Sequence, residues 1–157
     1  MLATANSDGL AVQYEYDAAF RPTNAMYPDG ASIGMTYDSR DRLLTLRDEN
    51  GHVTAFTYDA NGNRRQTTDA AGKSASFGYD LMDRLVTATG RLGQVRSWSY
   101  DSRGRLAAET DPNGLVTSYG YHASGWLETI AVGGRTWQRL LDREGAFVGM
   151  VSRLGHR

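Results

Sequence analysis

Cysteine is absent from the 157 residues. Disulfide staples and thiolate metal sites are therefore excluded. Charge of one sign is also lacking. The formal net charge is −1, without the basic surplus that neutralises a row of phosphates, so no nucleic-acid partner is expected. Arg135, Arg139, Arg143, Arg153 and Arg157 make the last stretch locally basic, but they are spread out and read as solvated surface. Apolar runs such as Ala146-Phe147-Val148 are far too short to span a bilayer. Met1 to Asp8 has no basic start and no apolar core, so it does not read as a secretory signal. Phosphate-cradling Gly-Lys-Ser/Thr, His-Glu-x-x-His and Gly-x-Ser-x-Gly patterns are missing, and the chain announces no catalytic centre, no metal and no cofactor.

Proline is scarce, with 3 copies, while glycine has 18 and tyrosine 9 in a chain that is 40% apolar. That apolar share is too high for a disordered chain, and the mixture suggests many short strands joined by tight turns. A fixed period organises them. Tyr16-Asp17, Tyr37-Asp38, Tyr58-Asp59, Tyr79-Asp80 and Tyr100-Asp101 stand 21 residues apart. Tyr121-His122 keeps the spacing without the Asp, and Leu141-Asp142 follows after 20 without the Tyr. The chain thus divides into a partial repeat over 1–15, five repeats over 16–120 and degenerate repeats over 121–157.

Two further markers share the period. Gly30, Gly51, Gly72, Gly93 and Gly114 each follow the Tyr by 14 residues, with Gly9 in the same place before the first full repeat. Pairs such as Asp8-Gly9, Asp29-Gly30, Asn50-Gly51 and Asn113-Gly114 predict hairpin turns, because Asn, Asp and Gly tolerate positive φ. Four residues after the Tyr stand Gly62, Gly104, Gly125 and Gly145, or Asp41 and Asp83, which also tolerate the left-handed region. Phe20 does not suit that place, which predicts a distorted first turn. The Asp of each Tyr-Asp pair can open its turn by bonding the backbone two residues on.

Each repeat then has an outgoing strand, such as Arg42-Leu43-Leu44-Thr45-Leu46, and a return strand, such as His52 to Tyr58. Return strands alternate with period two. One face carries Met35 and Tyr37, Phe56 and Tyr58, Phe77 and Tyr79, Trp98 and Tyr100, Tyr119 and Tyr121; the other carries Gly34, Ala55, Ser76, Ser97 and Ser118. The fold class is all-β: tandem β-hairpins of about 21 residues in a coiled antiparallel sheet, with the large face forming a buried stripe. Open sheet edges predict self-association.

Candidates for chemistry are few. His52, His122 and His156 are single and read as strand or turn residues rather than a metal site. Asp17, Asp38, Asp59, Asp80 and Asp101 form a row of carboxylates, which Arg21, Arg42, Arg84 and Arg105 offset four residues later. Trp126 and Trp137, in the degenerate repeats, are the aromatics most suited to facing a ligand.

The unit Tyr100-Asp101-Ser102-Arg103-Gly104-Arg105-Leu106, followed by Asp111-Pro112-Asn113-Gly114, resembles the YD repeat of the Rhs family. Tyr37-Asp38-Ser39-Arg40-Asp41-Arg42-Leu43, followed by Asp48-Glu49-Asn50-Gly51, is the second-best match. The resemblance runs from about residue 8 to 150. It implies a sheet that spirals into a hollow shell, as in insecticidal toxin complexes and exported Rhs effectors, with the shell enclosing a variable C-terminal toxin. Teneurins use a related barrel in adhesion. By this resemblance the chain is a non-catalytic shell segment of a longer exported protein, with further YD repeats and an encapsulated toxin as partners. The Asp111-Pro112-Asn113-Gly114 stretch superficially echoes a self-cleavage element of that family, but its place at a repeat turn favours the turn. The alternative is a surface-binding module that recognises a glycan or a partner protein through the repeat face, with Trp126 and Trp137 in contact.

Overall fold

The computed structural model describes residues 2–5, 11–142 and 146–154. Gly9, Gly145, Arg143, Arg157 and His156 lie outside the described residues, as does the side chain of Arg153. The described residues form fifteen strands and no helix. The first eight are β1 (Leu2–Ala5), β2 (Ala11–Tyr16), β3 (Pro22–Met26), β4 (Ser32–Tyr37), β5 (Leu43–Arg47), β6 (Val53–Tyr58), β7 (Arg64–Thr68) and β8 (Ser74–Tyr79). The rest are β9 (Leu85–Thr89), β10 (Val95–Tyr100), β11 (Leu106–Thr110), β12 (Val116–Tyr121), β13 (Leu127–Val132), β14 (Arg135–Leu141) and β15 (Phe147–Leu154). Strand order in the sheet is the sequence order. The pairing is antiparallel, as hairpins require.

Most of the described hairpin turns share one construction; the two-residue Gly133-Gly134 turn between β13 and β14, with both residues at positive φ, differs. In the turn after β4, the Asp38 N–H donates to the Arg42 carbonyl at 2.9 Å and the Asp41 N–H to the Asp38 carbonyl at 3.2 Å. At the opposite end of the hairpin, Asp48 and His52 make the same pair at 2.9 Å, with the Gly51 N–H on the Asp48 carbonyl at 3.0 Å. This is the three-residue loop that closes on a left-handed residue. That residue is Gly51 at φ 83° or Gly104 at φ 81°. In the described Asn-Gly and Asp-Gly pairs only the glycine has positive φ. The Asn or Asp before it stays in the ordinary region, so a two-residue turn with both central residues left-handed is not formed at them.

Phe20 corrects an expectation. Its turn is built like the others, with Asp17 N–H on the Arg21 carbonyl at 3.0 Å and Phe20 N–H on the Asp17 carbonyl at 3.1 Å. Phe20 itself takes φ 61°, and its ring points into solvent at 87% exposure. The Asp17 carboxylate accepts from the N–H groups of Ala19 and Arg21, so side-chain capping holds the loop against a strain of about 1–2 kcal/mol.

The outgoing strands begin one residue later than the alternation suggests, at Leu43 rather than Arg42, because the Arg42 N–H is held by the Asp38 carboxylate. A bulge then recurs. Thr36 pairs with Thr45 but Tyr37 pairs with Leu43, and the same slip falls before Tyr16, Tyr58, Tyr100 and Tyr121. Bulges bend a strand and increase its twist.

The chain divides into two compact units, Met1–Phe77 with Gly90–Leu92, and Gly78–Thr89 with Gly93–Arg157. In the first, Ala25, between Tyr14 and Ile33 in register, is 5% exposed and is the one buried apolar residue described in the chain. Tyr37, Phe56 and Tyr58 are half-buried. In the second, Trp98, Tyr100, Tyr119, Tyr121 and Trp137 are half-buried as well. The fully buried stripe is therefore corrected to a half-buried one. Within a unit, the contacts among the described residues run between sequence-neighbouring strands, and no described strand covers either face.

Candidate functional site

The turn after each repeat tyrosine concentrates the polar chemistry. The Asp38 Oδ1 accepts the N–H groups of Arg40 at 2.8 Å and Arg42 at 3.0 Å. Its Oδ2 takes the Arg42 Nε at 2.7 Å. Arg42 then reaches the next repeat, donating Nη1 to the Asp59 carbonyl at 2.9 Å and lying 4.7 Å from the Tyr58 ring centroid. The Tyr58 hydroxyl returns the tie by donating to the Leu43 carbonyl at 2.9 Å. Equivalent forks join Asp17 to Arg21, Asp80 to Arg84 and Asp101 to Arg105. The hydroxyls of Tyr37, Tyr100 and Tyr121 likewise bond the carbonyls of Pro22, Leu85 and Leu106. Tyr, Asp, Gly, Arg and Leu of the unit thus each hold one part of a clasp between successive hairpins. Tyr79 is half-buried at the end of β8, and Gly30, Gly72 and Gly93 close their turns at positive φ, as Gly51 and Gly114 do.

The fork stabilises the ionised aspartate. The Arg21 and Arg84 side chains hold Asp17 and Asp80 below the ordinary carboxylate range. For Asp38 and Asp101 the largest cause is the backbone N–H of Arg42 or Arg105, reinforced by the same arginine's side chain. Asp59 has Asn63 in place of the arginine, with an amide contact of 3.2 Å. In the degenerate repeat His122 and Trp126 occupy the two places, and their rings stack at 4.3 Å and 2°. Sequence reasoning missed the caps of the opposite turns, where Asp48, Asp69 and Asp111 each accept two backbone N–H groups. An Asp three residues before Gly51, Gly72 and Gly114 is the signal that marks them. Asp111-Pro112-Asn113-Gly114 is one of these turns.

Other candidates are dispersed. His52 contacts Asp48 at 3.2 Å, and among the described residues no group of three or more His, Cys, Asp or Glu is placed to hold a metal ion. No helix of the described residues is long and apolar enough to cross a membrane. Trp137 lies within β14, paired with Ile130 and Ser152. Arg139 is not the solvated surface residue its spacing suggested. It is half-buried, with its guanidinium 5.6 Å from the Trp126 ring centroid and 5.0 Å from that of Phe147.

The profile of the RHS Repeat family matches four times in tandem, over residues 37–74, 58–95, 79–114 and 100–136. The chain belongs to the RHS repeat family. Successive matches begin 21 residues apart, each on a repeat tyrosine. No curated protein matches the chain. Among solved structures, this RHS repeat chain is similar to the Photorhabdus luminescens Tc holotoxin pore carrying a TccC3 mutation, at TM-score 0.71 and 15% identity over 94% of its own length. It is similar to the crystal structure of TcdB2-TccC3 at TM-score 0.56 and 16% identity over 98%, and to the form without the hypervariable C-terminal region at TM-score 0.52 and 15% over 96%. At these identities the likeness is one of fold. The RHS repeats here span 9%, 11% and 12% of those chains.

Proposed function

We propose that the chain is a wall segment of an RHS-type toxin shell, structural rather than catalytic, belonging to a longer exported protein whose sheet spirals around a toxic C-terminal domain. The observation that carries this reading is the clasp: at Tyr37, Tyr58, Tyr100 and Tyr121 it links a hairpin to the preceding one through the backbone, so repetition of the unit extends a sheet and builds wall rather than pocket. The matched toxin chains, of which these repeats span about a tenth, support a setting with many further repeats. A wall needs one face that tolerates an unfolded polypeptide, and the half-buried aromatic face meets that need.

The alternative is glycan recognition through Trp126, which is exposed, and Trp137, which is half-buried. One face of Trp126 is covered by His122, and Trp137 sits in mid-strand register.

The test is limited proteolysis of the full-length product of the reading frame that encodes these repeats, before and after mild denaturation. The expected result is a C-terminal segment that resists digestion while the repeats are folded and is cut once they open. A product without further repeats and a variable tail, or a tail cut equally in both states, overturns the reading.

A further inference from the structure

The turn between β12 and β13 is built on a different cap from the turns before it. Asp17, Asp38, Asp80 and Asp101 each accept two backbone N–H groups on one carboxylate oxygen. His122 stands in their place and accepts the Ser124 N–H on Nδ1 at 3.1 Å. That nitrogen accepts only in the neutral ring with its hydrogen on Nε2, whereas the protonated ring carries donors on both nitrogens. A proton on Nδ1 would therefore set one donor against another. The seam here is also less tied. Arg21 and Arg42 reach the following turn through Nη1, on the Asp38 and Asp59 carbonyls, but the Arg105 Nη1 is buried without a hydrogen-bond partner among the described residues. The charged groups that reach the turn are Arg103, whose Nη1 donates to the Ala123 carbonyl at 2.9 Å, Arg105, which is forked to Asp101, and Arg139, 5.6 Å from the Trp126 ring centroid. Asp142 begins the next turn on that edge and caps the Ala146 N–H at 2.8 Å; residues 143–145 lie outside the described residues.

We propose that His122 is a proton-operated switch in this turn. Neutral, it caps Ser124. Protonated, it turns over about its Cβ–Cγ bond, frees the Ser124 N–H to solvent and remains stacked on Trp126. Histidine is the side chain that changes charge between about pH 8 and pH 5, while the aspartates of the earlier turns, held below the ordinary carboxylate range, stay ionised over that span. The sheet thus carries one cap that opens in mildly acidic surroundings among caps that do not. The stack at 4.3 Å and 2° gains when the ring becomes a cation on an aromatic face. That gain offsets the lost cap, so the switch is read in the turn itself rather than in the denaturation midpoint. The proposal is independent of the wall reading.

Nuclear magnetic resonance of the full chain between about pH 8 and pH 5 tests this. It follows the His122 ring together with the exchange of the Ser124 and Gly125 N–H groups with water, corrected for the intrinsic effect of pH. Gly125 donates to the His122 carbonyl at 2.8 Å, a bond that the ring proton does not touch. Protonation of His122 should speed Ser124 exchange by about fivefold or more, the size expected of one hydrogen bond, and leave Gly125 unchanged. His122→Asp restores the carboxylate cap and should hold Ser124 exchange flat over the same range. Ser124 exchange that stays flat while the His122 ring titrates, an equal rise at Gly125, or the same response in the Asp variant would overturn the proposal.

Discussion

At Tyr58 the ring and the hydroxyl do different work. The ring lies under the Arg42 guanidinium, and the hydroxyl donates to the Leu43 carbonyl of the preceding hairpin. Tyr58→Phe keeps the first contact and loses the second, so urea denaturation should register a loss of about 1 kcal/mol. An unchanged midpoint would mean that the hydroxyl tie contributes nothing. Backbone conformation makes the opposite pair of predictions at Phe20 and Gly51. An added Cβ at Gly51 meets nothing within 4 Å, so Gly51→Ala isolates the cost of φ 83°, about 1 kcal/mol. Phe20 stands at φ 61° with its ring in solvent. Phe20→Gly should therefore stabilise the chain, by about 0.5–1 kcal/mol, and a fall in thermal midpoint would contradict this account of the first turn.

The hairpin's unit of strength is the clasp, and the clasp depends on an ionised carboxylate. Asp17, Asp38, Asp80 and Asp101 are all held below the ordinary value by arginine side chains and backbone N–H groups. For Asp48 and Asp59, burial is the largest influence and pushes upward, but the donors together outweigh it. Carboxylates with depressed folded values bind fewer protons in the folded state than in the unfolded one. Their stabilisation is complete above the unfolded value of about 3.9 and is lost as pH falls through the folded values. Denaturation midpoints should be flat from pH 7 to about 5 and then drop. Asp101→Asn should lower the plateau and lessen the drop; an acid limb identical to that of the parent would remove Asp101 from the cause.

Within each unit, the contacts among the described residues run between sequence-neighbouring strands, so the stability of each unit should behave as a sum of hairpins and their interfaces. β15 ends the sheet order, and Phe147, Val148, Met150 and Val151 on it are exposed or nearly so. When these 157 residues are produced by themselves, such an apolar strand at the end of the described sheet is a template for another chain. Size-exclusion chromatography should therefore show apparent mass rising with concentration, and a single monomeric peak across a hundredfold range, on the order of 1 to 100 μM, would count against it.

Much of this was legible in the residues, because its causes are local. Asp38 to Arg42 and Asp48 to His52 carry their turns within five residues, and the alternation from Val53 to Tyr58 assigns faces without knowledge of neighbours. The bulge before Tyr16, Tyr37, Tyr58, Tyr100 and Tyr121, the hydroxyl tie from Tyr58 back to Leu43 and the reach of Arg42 to Asp59 were not legible. Those contacts join residues 15 to 17 positions apart, and their existence depends on the register that the bulge sets.

The residues alone determined an all-β chain of hairpins with a 21-residue period, since turn chemistry and period-two patterning act over a few bonds. Only the tertiary structure decided that the aromatic face is half-buried and that the Arg139 guanidinium lies beside the Trp126 and Phe147 rings. Burial depends on what packs above a face, and no pattern along a strand encodes the presence of a second layer.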